Sequence, residues 1–300
     1  MRIGIDLGGT KIEGVVMGPR SQIVHRERVP TPRDYASALV AVTGLVRMLE
    51  QHAGAGELDV GIGHPGSMSP VNGLLRNSNS TFMNGQPIRQ DLERALGREV
   101  RMSNDANCFA LSEAADGAAA GARCVFGVII GTGCGGGVVV GGQVLHGANG
   151  IGGEWGHNPL PWPRPEWGEL PGPRCWHGQH GCLETWISGS GLGADHARVT
   201  GESMRAEQIV ARAESGDEPA NATLARYEDR LARALSHVIN LLDPDVIVLG
   251  GGVSSVQRLY RNVPKLWDEW VFSDRIATKL VQAKHGDSSG VRGAAWLWPA

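Results

Sequence analysis

Asp6-Leu7-Gly8-Gly9-Thr10-Lys11 sets a carboxylate beside two residues of bare backbone, a hydroxyl and an ammonium. Unhindered amides, a hydroxyl and a cation suit phosphate oxygens, and the carboxylate of Asp6 suits a Mg2+ ion held through water. The competing reading is an ordinary hairpin turn with a solvated charge pair. Gly131-Thr132-Gly133-Cys134-Gly135-Gly136 repeats the theme and formally matches the Gly-x-Gly-x-x-Gly dinucleotide fingerprint. That fingerprint must open a helix, whereas Val138-Val139-Val140 reads as strand, so a second phosphate-gripping hairpin fits better and NAD is disfavoured. The chain has no Gly-Lys dipeptide, which excludes a Walker A loop. Gly250-Gly251-Gly252 follows an apolar run and stands at the carboxyl end of a strand, where open α/β sheets bind ligands such as an adenosine. A glycine C-cap without a ligand is its plain alternative.

Asn104-Asp105 follows a strand and opens a helix, so the Asp105 carboxylate either projects into a site as a base or simply caps the helix. Glu154, His157 and Glu184 lie in a stretch rich in Gly and Trp, and such groups fix sugar hydroxyls well in a desolvated pocket. Pro65-Gly66 reads equally as turn chemistry or as the lining of that pocket. Cys175-Trp176-His177-Gly178-Gln179-His180-Gly181-Cys182 supplies two thiols and an imidazole, with His157 upstream as a fourth tetrahedral ligand for zinc. Two buried thiols beside surface histidines are the alternative. Set between Glu154 and Glu184, a zinc knuckle would be structural, fixing the loop that presents both carboxylates.

The elements that must position these groups alternate between strand and helix. Arg2–Ile5 and Ile12–Met17 form an opening hairpin, and the apolar spacing from Asp34 to His52 is helical. A strand at Val60–Gly63, a helix near Gln90–Leu96 and a strand at Val100–Met102 follow, then a helix to Ala120. A second glycine hairpin, Cys124–Ile130 and Val138–Val140, echoes the first. Ala206–Leu242 reads as mainly helical, Asp245–Leu249 as strand, and Ser289–Trp298 as a closing helix. This is an α/β pattern in two similar halves. The first lobe is expected over residues 1–116 with the terminal helix 289–300 returning to it, and the second over 117–288 with the zinc loop at 154–184.

Composition narrows the classes. The chain has 300 residues, 41% hydrophobic and 20% charged, which suits globular folding and argues against disorder. A formal charge of -3 offers no positive field for nucleic acid or an anionic membrane, and no apolar run approaches the ~18 residues of a membrane span. The acidic start at Asp6 is unlike a signal peptide, and five cysteines do not form a disulfide framework, so a cytoplasmic location is expected.

The glycine turns in this order, with Asn104-Asp105, Glu154-Trp155-Gly156-His157 and Cys182-Leu183-Glu184 between them, resemble the sugar kinases of the ROK family, nearest to bacterial fructokinases (manno-fructokinases). The resemblance spans nearly the whole chain and implies the actin-like ATPase (ribonuclease H-like) fold, two lobes around a central cleft. It implies ATP, Mg2+ and structural Zn2+, and phosphoryl transfer to the 6-hydroxyl of a hexose, with fructose favoured. Asp105 would be the base, and Pro65, Gly66, Asn79, Asn104, Glu154, His157 and Glu184 would line the sugar. Asp6, Gly8, Gly9, Thr10, Lys11, Gly131, Thr132, Gly133, Gly135, Gly250, Gly251 and Gly252 would hold the nucleotide. Kinases of this family carry Cys-x-Cys-Gly-x-x-Gly-Cys-x-Glu at the knuckle, and this chain departs from it with His177 at the middle Cys. The zinc ligands are then His157, Cys175, His177 and Cys182, with His180 a rival. A homodimer is implied too. Glucose, mannose and N-acetylhexosamine kinases are the alternatives, and a sugar-sensing repressor is the remaining one, although the first core strand begins at Arg2 and leaves no basic DNA-reading extension before it.

Overall fold

The computed structural model describes residues 1–299, so Ala300, the last residue of the expected terminal helix, lies outside the described residues. The chain runs β1 (Arg2–Leu7), β2 (Lys11–Met17), β3 (Ile23–Pro30), α1 (Tyr35–Ala53), β4 (Asp59–His64), β5 (Ser67–Met68), β6 (Leu75–Arg76), α2 (Ile88–Leu96), β7 (Val100–Asn104) and α3 (Asp105–Ala115). It continues through β8 (Cys124–Ile130), β9 (Cys134–Val140), β10 (Gln143–Val144), α4 (Glu184–Ile187), α5 (Gly189–Thr200), α6 (Ala206–Glu214) and α7 (Glu218–Leu242). Last come β11 (Val246–Gly250), α8 (Arg258–Asn262), β12 (Lys279–Gln282) and α9 (Ser289–Trp296).

One sheet has the order β3-β2-β1-β4-β7 and the other β10-β9-β8-β11-β12, and β5 and β6 form a small ladder. In the first, β1 pairs antiparallel with β2 and parallel with β4, and β4 pairs parallel with β7. In the second, β9 pairs antiparallel with β10, while β8, β11 and β12 pair in parallel. The same meander followed by parallel strands thus occurs twice, the duplication that the paired glycine hairpins suggested. The chain divides into two compact units. The first holds Met1–Gly121, Gly137–Gly153 and the segment from Lys284 onward; the second holds Ala122–Gly136 and Glu154–Ala283.

In the first unit the two faces of β1 do different work. Ile3, Ile5 and Leu7 are fully buried in one cluster with Val42, Leu45, Val46 and Leu49 of α1. This follows from period-2 alternation in a strand meeting a helical stripe. Asp34 caps α1 by accepting the amide of Ser37 at 2.9 Å, and Gly54, at φ 57°, ends it. On the other face α9 lies so close that a Cβ at Gly4 would strike the carbonyl of Val291, and one at Gly61 that of Ala294. The buried Glu113 ties α3 to the segment leading into α9. Its two oxygens accept from Ser289 Oγ (2.8 Å), the amides of Lys284 (3.0 Å) and His285 (3.2 Å), and the amide of Ala118 (2.8 Å). Removing that carboxylate would strand several donors and cost about 3 kcal/mol.

In the second unit α7 presents Arg230 and Arg233 inward, where both reach Glu169 Oε1, at 2.7 and 2.9 Å. This buried ion cluster fixes the irregular tryptophan-rich segment against the helix. The sequence did not announce β3, β12 or α5, and the second hairpin's return strand begins at Cys134 rather than at Val138. Among the described residues no helix is long and apolar enough to cross a membrane.

Candidate functional site

In the first unit, the turn between β1 and β2 is closed by the amide of Gly8 donating to the carbonyl of Lys11 at 3.1 Å. Thr31 braces it from β3's end through Oγ1 to the Gly8 carbonyl at 2.7 Å. Asp6, at the end of β1, is half-buried. Burial pushes its carboxyl up to about 6, with the charges of Asp105 and Glu13 adding and Lys11 opposing. Lys11 does not extend alone toward a ligand, because its Nζ lies 3.3 Å from Glu13 Oε2. Glu13 is buried and also pairs with Arg26 and Arg28. Gly9 and Thr10 are exposed at the tip.

The next element of this unit is the junction of β7 and α3. Asn104, not Asp105, is the helix cap: its Oδ1 accepts the amides of Ala106 at 2.8 Å and Asn107 at 3.4 Å. Its Nδ2 donates to the carbonyl of Gly66 at 3.0 Å. The capping role that the sequence left open for Asp105 therefore belongs to its neighbour. Asp105 is exposed on the first turn of α3, its Oδ1 accepting the amide of Ala106 at 2.8 Å, and its charge acts on Asp6 and on Cys108. A carboxylate here gains from the helix dipole and needs no exotic pKa to orient a hydroxyl. Gly66 has φ 76°, and a Cβ there would strike the carbonyl of Arg76, so only glycine fits. Pro65 and Gly66 follow β4 directly, and Asn79 is exposed in the segment after β6. His64, which the sequence reading passed over, is buried beside them. Its Nδ1 donates to the carbonyl of Pro65 at 3.1 Å, and burial holds its pKa down at about 4, so the ring is neutral.

In the second unit, His157, Cys175, His177 and Cys182 offer ligand atoms that all lie within 4.8 Å of one another. Cys175 Sγ is 3.7 Å from His157 Nδ1, and Cys182 Sγ is 3.8 Å from His177 Nδ1. A tetrahedral zinc with ordinary Zn–S and Zn–N bonds sets neighbouring ligand atoms about 3.6 Å apart, so the donor set and spacing fit zinc. Burial, the Cys175 thiol and Glu184 push Cys182 up to about 11, a burden that a dication would relieve. His180 stands outside the cluster, with its Nδ1 donating to the carbonyl of Gly172 at 3.0 Å. The loop is shaped by two isolated bridges, Pro159 with Cys182 and Arg174 with His180, and by Gly178 at φ 104°.

Glu184, the first residue of α4, joins this cluster to the second glycine turn. Its Oε1 accepts from Trp176 Nε1 at 3.1 Å and its Oε2 accepts the amide of Cys134 at 3.0 Å. A Cβ at Gly133 would sit 2.6 Å from Glu184 Oε2, so any larger residue there would displace that carboxylate. Glu154 precedes a 3-10 turn, Trp155–His157; desolvation raises its pKa, His157 opposes the rise and Glu184 adds to it. Trp155 anchors the turn by donating to the carbonyl of Gly135 at 3.2 Å.

A cavity of about 680 Å3 in this unit is lined by Gly131, Thr132, Gly189, Ser190, Gly193 and Gly252 among others. Two of the three glycine turns marked in the sequence therefore meet at one cavity. Neither Gly131 nor Gly252 has any atom within 4 Å of where a Cβ would stand. Gly250 ends β11, and Gly251, at φ 79°, crosses against the carbonyl of Ile130. The N-terminus of α5 was missed, although Ser188-Gly189-Ser190-Gly191 carried a signal: a hydroxyl cap followed by small residues. Ser188 Oγ accepts the amide of Gly191 at 2.9 Å, and the Gly189 amide donates to the carbonyl of Gly131 at 2.8 Å. Bare backbone, two hydroxyls and a helix N-terminus make a wall suited to a nucleotide.

The chain matches the sequence model of the ROK family over residues 2–300. It is 40% identical over 302 residues to an N-acetyl-D-glucosamine kinase of Vibrio vulnificus (strain YJ016), and 40% identical over 300 residues to one of Escherichia coli O139:H28, covering 99% of each chain in both cases. Among solved structures it is similar to a ROK hexokinase from Thermus thermophilus, at a TM-score of 0.86 and 32% identity, covering 98% of this chain and 96% of that one. A ROK family glucokinase from Streptomyces griseus in complex with glucose and AMPPNP has a TM-score of 0.77 at 26% identity, covering 99% and 98%. With the repeated sheet order, the cavity and these end-to-end matches together, the chain belongs to the ROK family and has its actin-like ATPase fold.

Proposed function

We propose that the chain is an ATP-dependent sugar kinase that phosphorylates the 6-hydroxyl of N-acetyl-D-glucosamine. The observation that carries this reading is the end-to-end similarity, at 40% identity, to N-acetyl-D-glucosamine kinases. The preference for fructose expected from the sequence gives way to its N-acetylhexosamine alternative, because those relatives are hexosamine kinases by name. In this reading Asp105 accepts the proton of the attacking hydroxyl, and its exposed place on the first turn of α3 supports that role. Asn104 and Gly66 keep that turn in place through their mutual hydrogen bond. Glu154, His157 and Glu184 hold sugar hydroxyls, with Pro65, Gly66 and Asn79 as further lining. The cavity at Gly131, Thr132 and Gly252 takes the adenosine end of ATP, and Gly8 to Lys11 the phosphates. Mg2+, with Asp6 near it through water, neutralises phosphate charge during transfer. Zinc, bound by His157, Cys175, His177 and Cys182, would hold Trp176 in place and so orient Glu184. The enzyme works in the cytoplasm, where ATP is supplied, as a homodimer.

The test is to incubate the purified protein with Mg·ATP and N-acetyl-D-glucosamine and analyse the product by mass and phosphorus NMR. One equivalent of the sugar 6-phosphate per ADP is expected. ADP without sugar phosphate would overturn the reading in favour of plain ATP hydrolysis, and sugar binding with no ADP would overturn it in favour of a sugar sensor.

A further inference from the structure

We propose that His25, Glu27 and His52 form a second metal site, for a divalent transition-metal ion such as Zn2+, Ni2+ or Cu2+, separate from the Cys/His cluster. Alternation along β3 sends Arg26 and Arg28 to one face, where they pair with Glu13 at 3.1 and 2.8 Å. His25 and Glu27 therefore share the opposite face, the one turned to α1. The last turn of α1 delivers His52 there, just before the left-handed Gly54 ends the helix. One ligand atom from each of the three residues lies within 4.8 Å of the other two.

The three side chains already touch one another, although their lone pairs do not yet converge. His25 Nε2 is 3.1 Å from Glu27 Oε1, and the rings of His25 and His52 stack with centroids 4.0 Å apart and planes 12° from parallel. His52 Nδ1 is 2.9 Å from the carbonyl of Met48. A carbonyl only accepts, so Nδ1 carries the proton and Nε2 keeps its lone pair for a metal. Metal-bound histidines characteristically make that outer hydrogen bond, and it fixes tautomer and ring direction together. Two imidazoles and a carboxylate suit a borderline cation and leave positions for water. Ligand atoms around such an ion stand about 3.4 Å apart, so the exposed His52 ring must pivot about its Nδ1 bond to Met48, opening the stack with His25, while the half-buried Glu27 turns to meet it. The bound ion would tie the edge strand β3 to the C-terminus of α1.

The test is equilibrium dialysis of metal-depleted full-length protein against Zn2+, with Co2+ titrations read for thiolate-to-cobalt absorbance. The His25→Ala/His52→Ala double variant is expected to bind one ion fewer per chain than the wild type while keeping the thiolate-to-cobalt band. Glu27→Gln should weaken the lost site by about tenfold without abolishing it. Zn2+ should raise the Tm of the Cys182→Ala variant by a few degrees and leave the Tm of Cys182→Ala unchanged once His25 and His52 are also replaced. Equal metal content in the wild type and the His25→Ala/His52→Ala variant would overturn the proposal, whatever the Cys/His cluster binds.

Discussion

The two glycine-rich turns look alike in sequence and meet different demands in the fold. At residues 8–11 both glycines answer to the protein: a Cβ at Gly8 would stand 2.9 Å from the Lys11 carbonyl, and one at Gly9 would stand 3.3 Å from Ser80 Oγ. At residues 131–136 the demands are divided. Gly133 makes room for Glu184, whereas Gly131 has open space in front of it and lines a cavity. A glycine kept where nothing in the protein requires one marks backbone left bare for something else. The carboxylates around the turns differ in the same way. Glu184 is held by two donors and belongs to a buttressed scaffold, while Asp6 is pushed well above an ordinary aspartate, by its burial first and then by the charges of Asp105 and Glu13.

Under the proposed kinase reading, chemistry falls to the carboxylates of the first unit and placement to Glu184 in the second, and variants can break that division. Asp105→Asn should lower kcat by about 100- to 10,000-fold with little change in the Kd for the sugar, measured by ADP release and calorimetry. A tenfold loss of sugar affinity with unchanged kcat would move Asp105 from chemistry to binding. Cys182→Ala should lose the cluster's metal and raise the KM for sugar more than tenfold, checked by metal analysis on the assayed sample. Metal loss with an unchanged KM would uncouple the knuckle from Glu184.

A matched glycine pair sharpens the comparison further. Gly131→Ala should leave the Tm unchanged and raise the KM for ATP several-fold, because the new methyl meets no protein atom and intrudes on the cavity. Gly133→Ala should instead raise the KM for sugar, since it displaces Glu184 Oε2. If both act on ATP alone, the division within this turn is wrong. The smallest effect is on stability. The folded chain holds the Asp6 proton up to about pH 6, against an ordinary 3.8 in the unfolded chain. Folding is therefore penalised increasingly as pH rises from about 4 to 6, and fully above that. In Mg2+-free buffer Asp6→Asn should gain roughly 1–3 kcal/mol over the wild type at pH 8 and nothing below pH 4. Thermal melts at both pH values check the sign, and a variant less stable at pH 8 would contradict it.

Much of this was legible because the signals were local. The apolar spacing from Asp34 to His52 delimited α1, and the segment Arg2–Ile5 marked β1, which the structure extends to Leu7. Spacing nominated Cys175 and Cys182 with His157 upstream, whereas the choice of His177 over its rival His180 needed the structure. What stayed hidden depended on contacts distant in sequence. The pairing of Trp176 and Cys134 with Glu184 cannot be read from any single motif, and β3 and β12 are strands because their neighbours complete each sheet. The capping of α3 by Asn104 was hidden by a neighbour of equal capping propensity, since Asn and Asp rank together at that position. Substrate identity was least legible, because the choice between hexoses rests on pocket shape, which hydrogen-bonding residue types do not encode.

The account's central claim is tested most directly by ADP release from Mg·ATP with N-acetyl-D-glucosamine, glucose, mannose and fructose compared in one assay. It predicts the highest kcat/KM for N-acetyl-D-glucosamine, by at least tenfold over fructose. Equal or greater turnover of fructose, or no sugar-dependent release with any of the four, would contradict it.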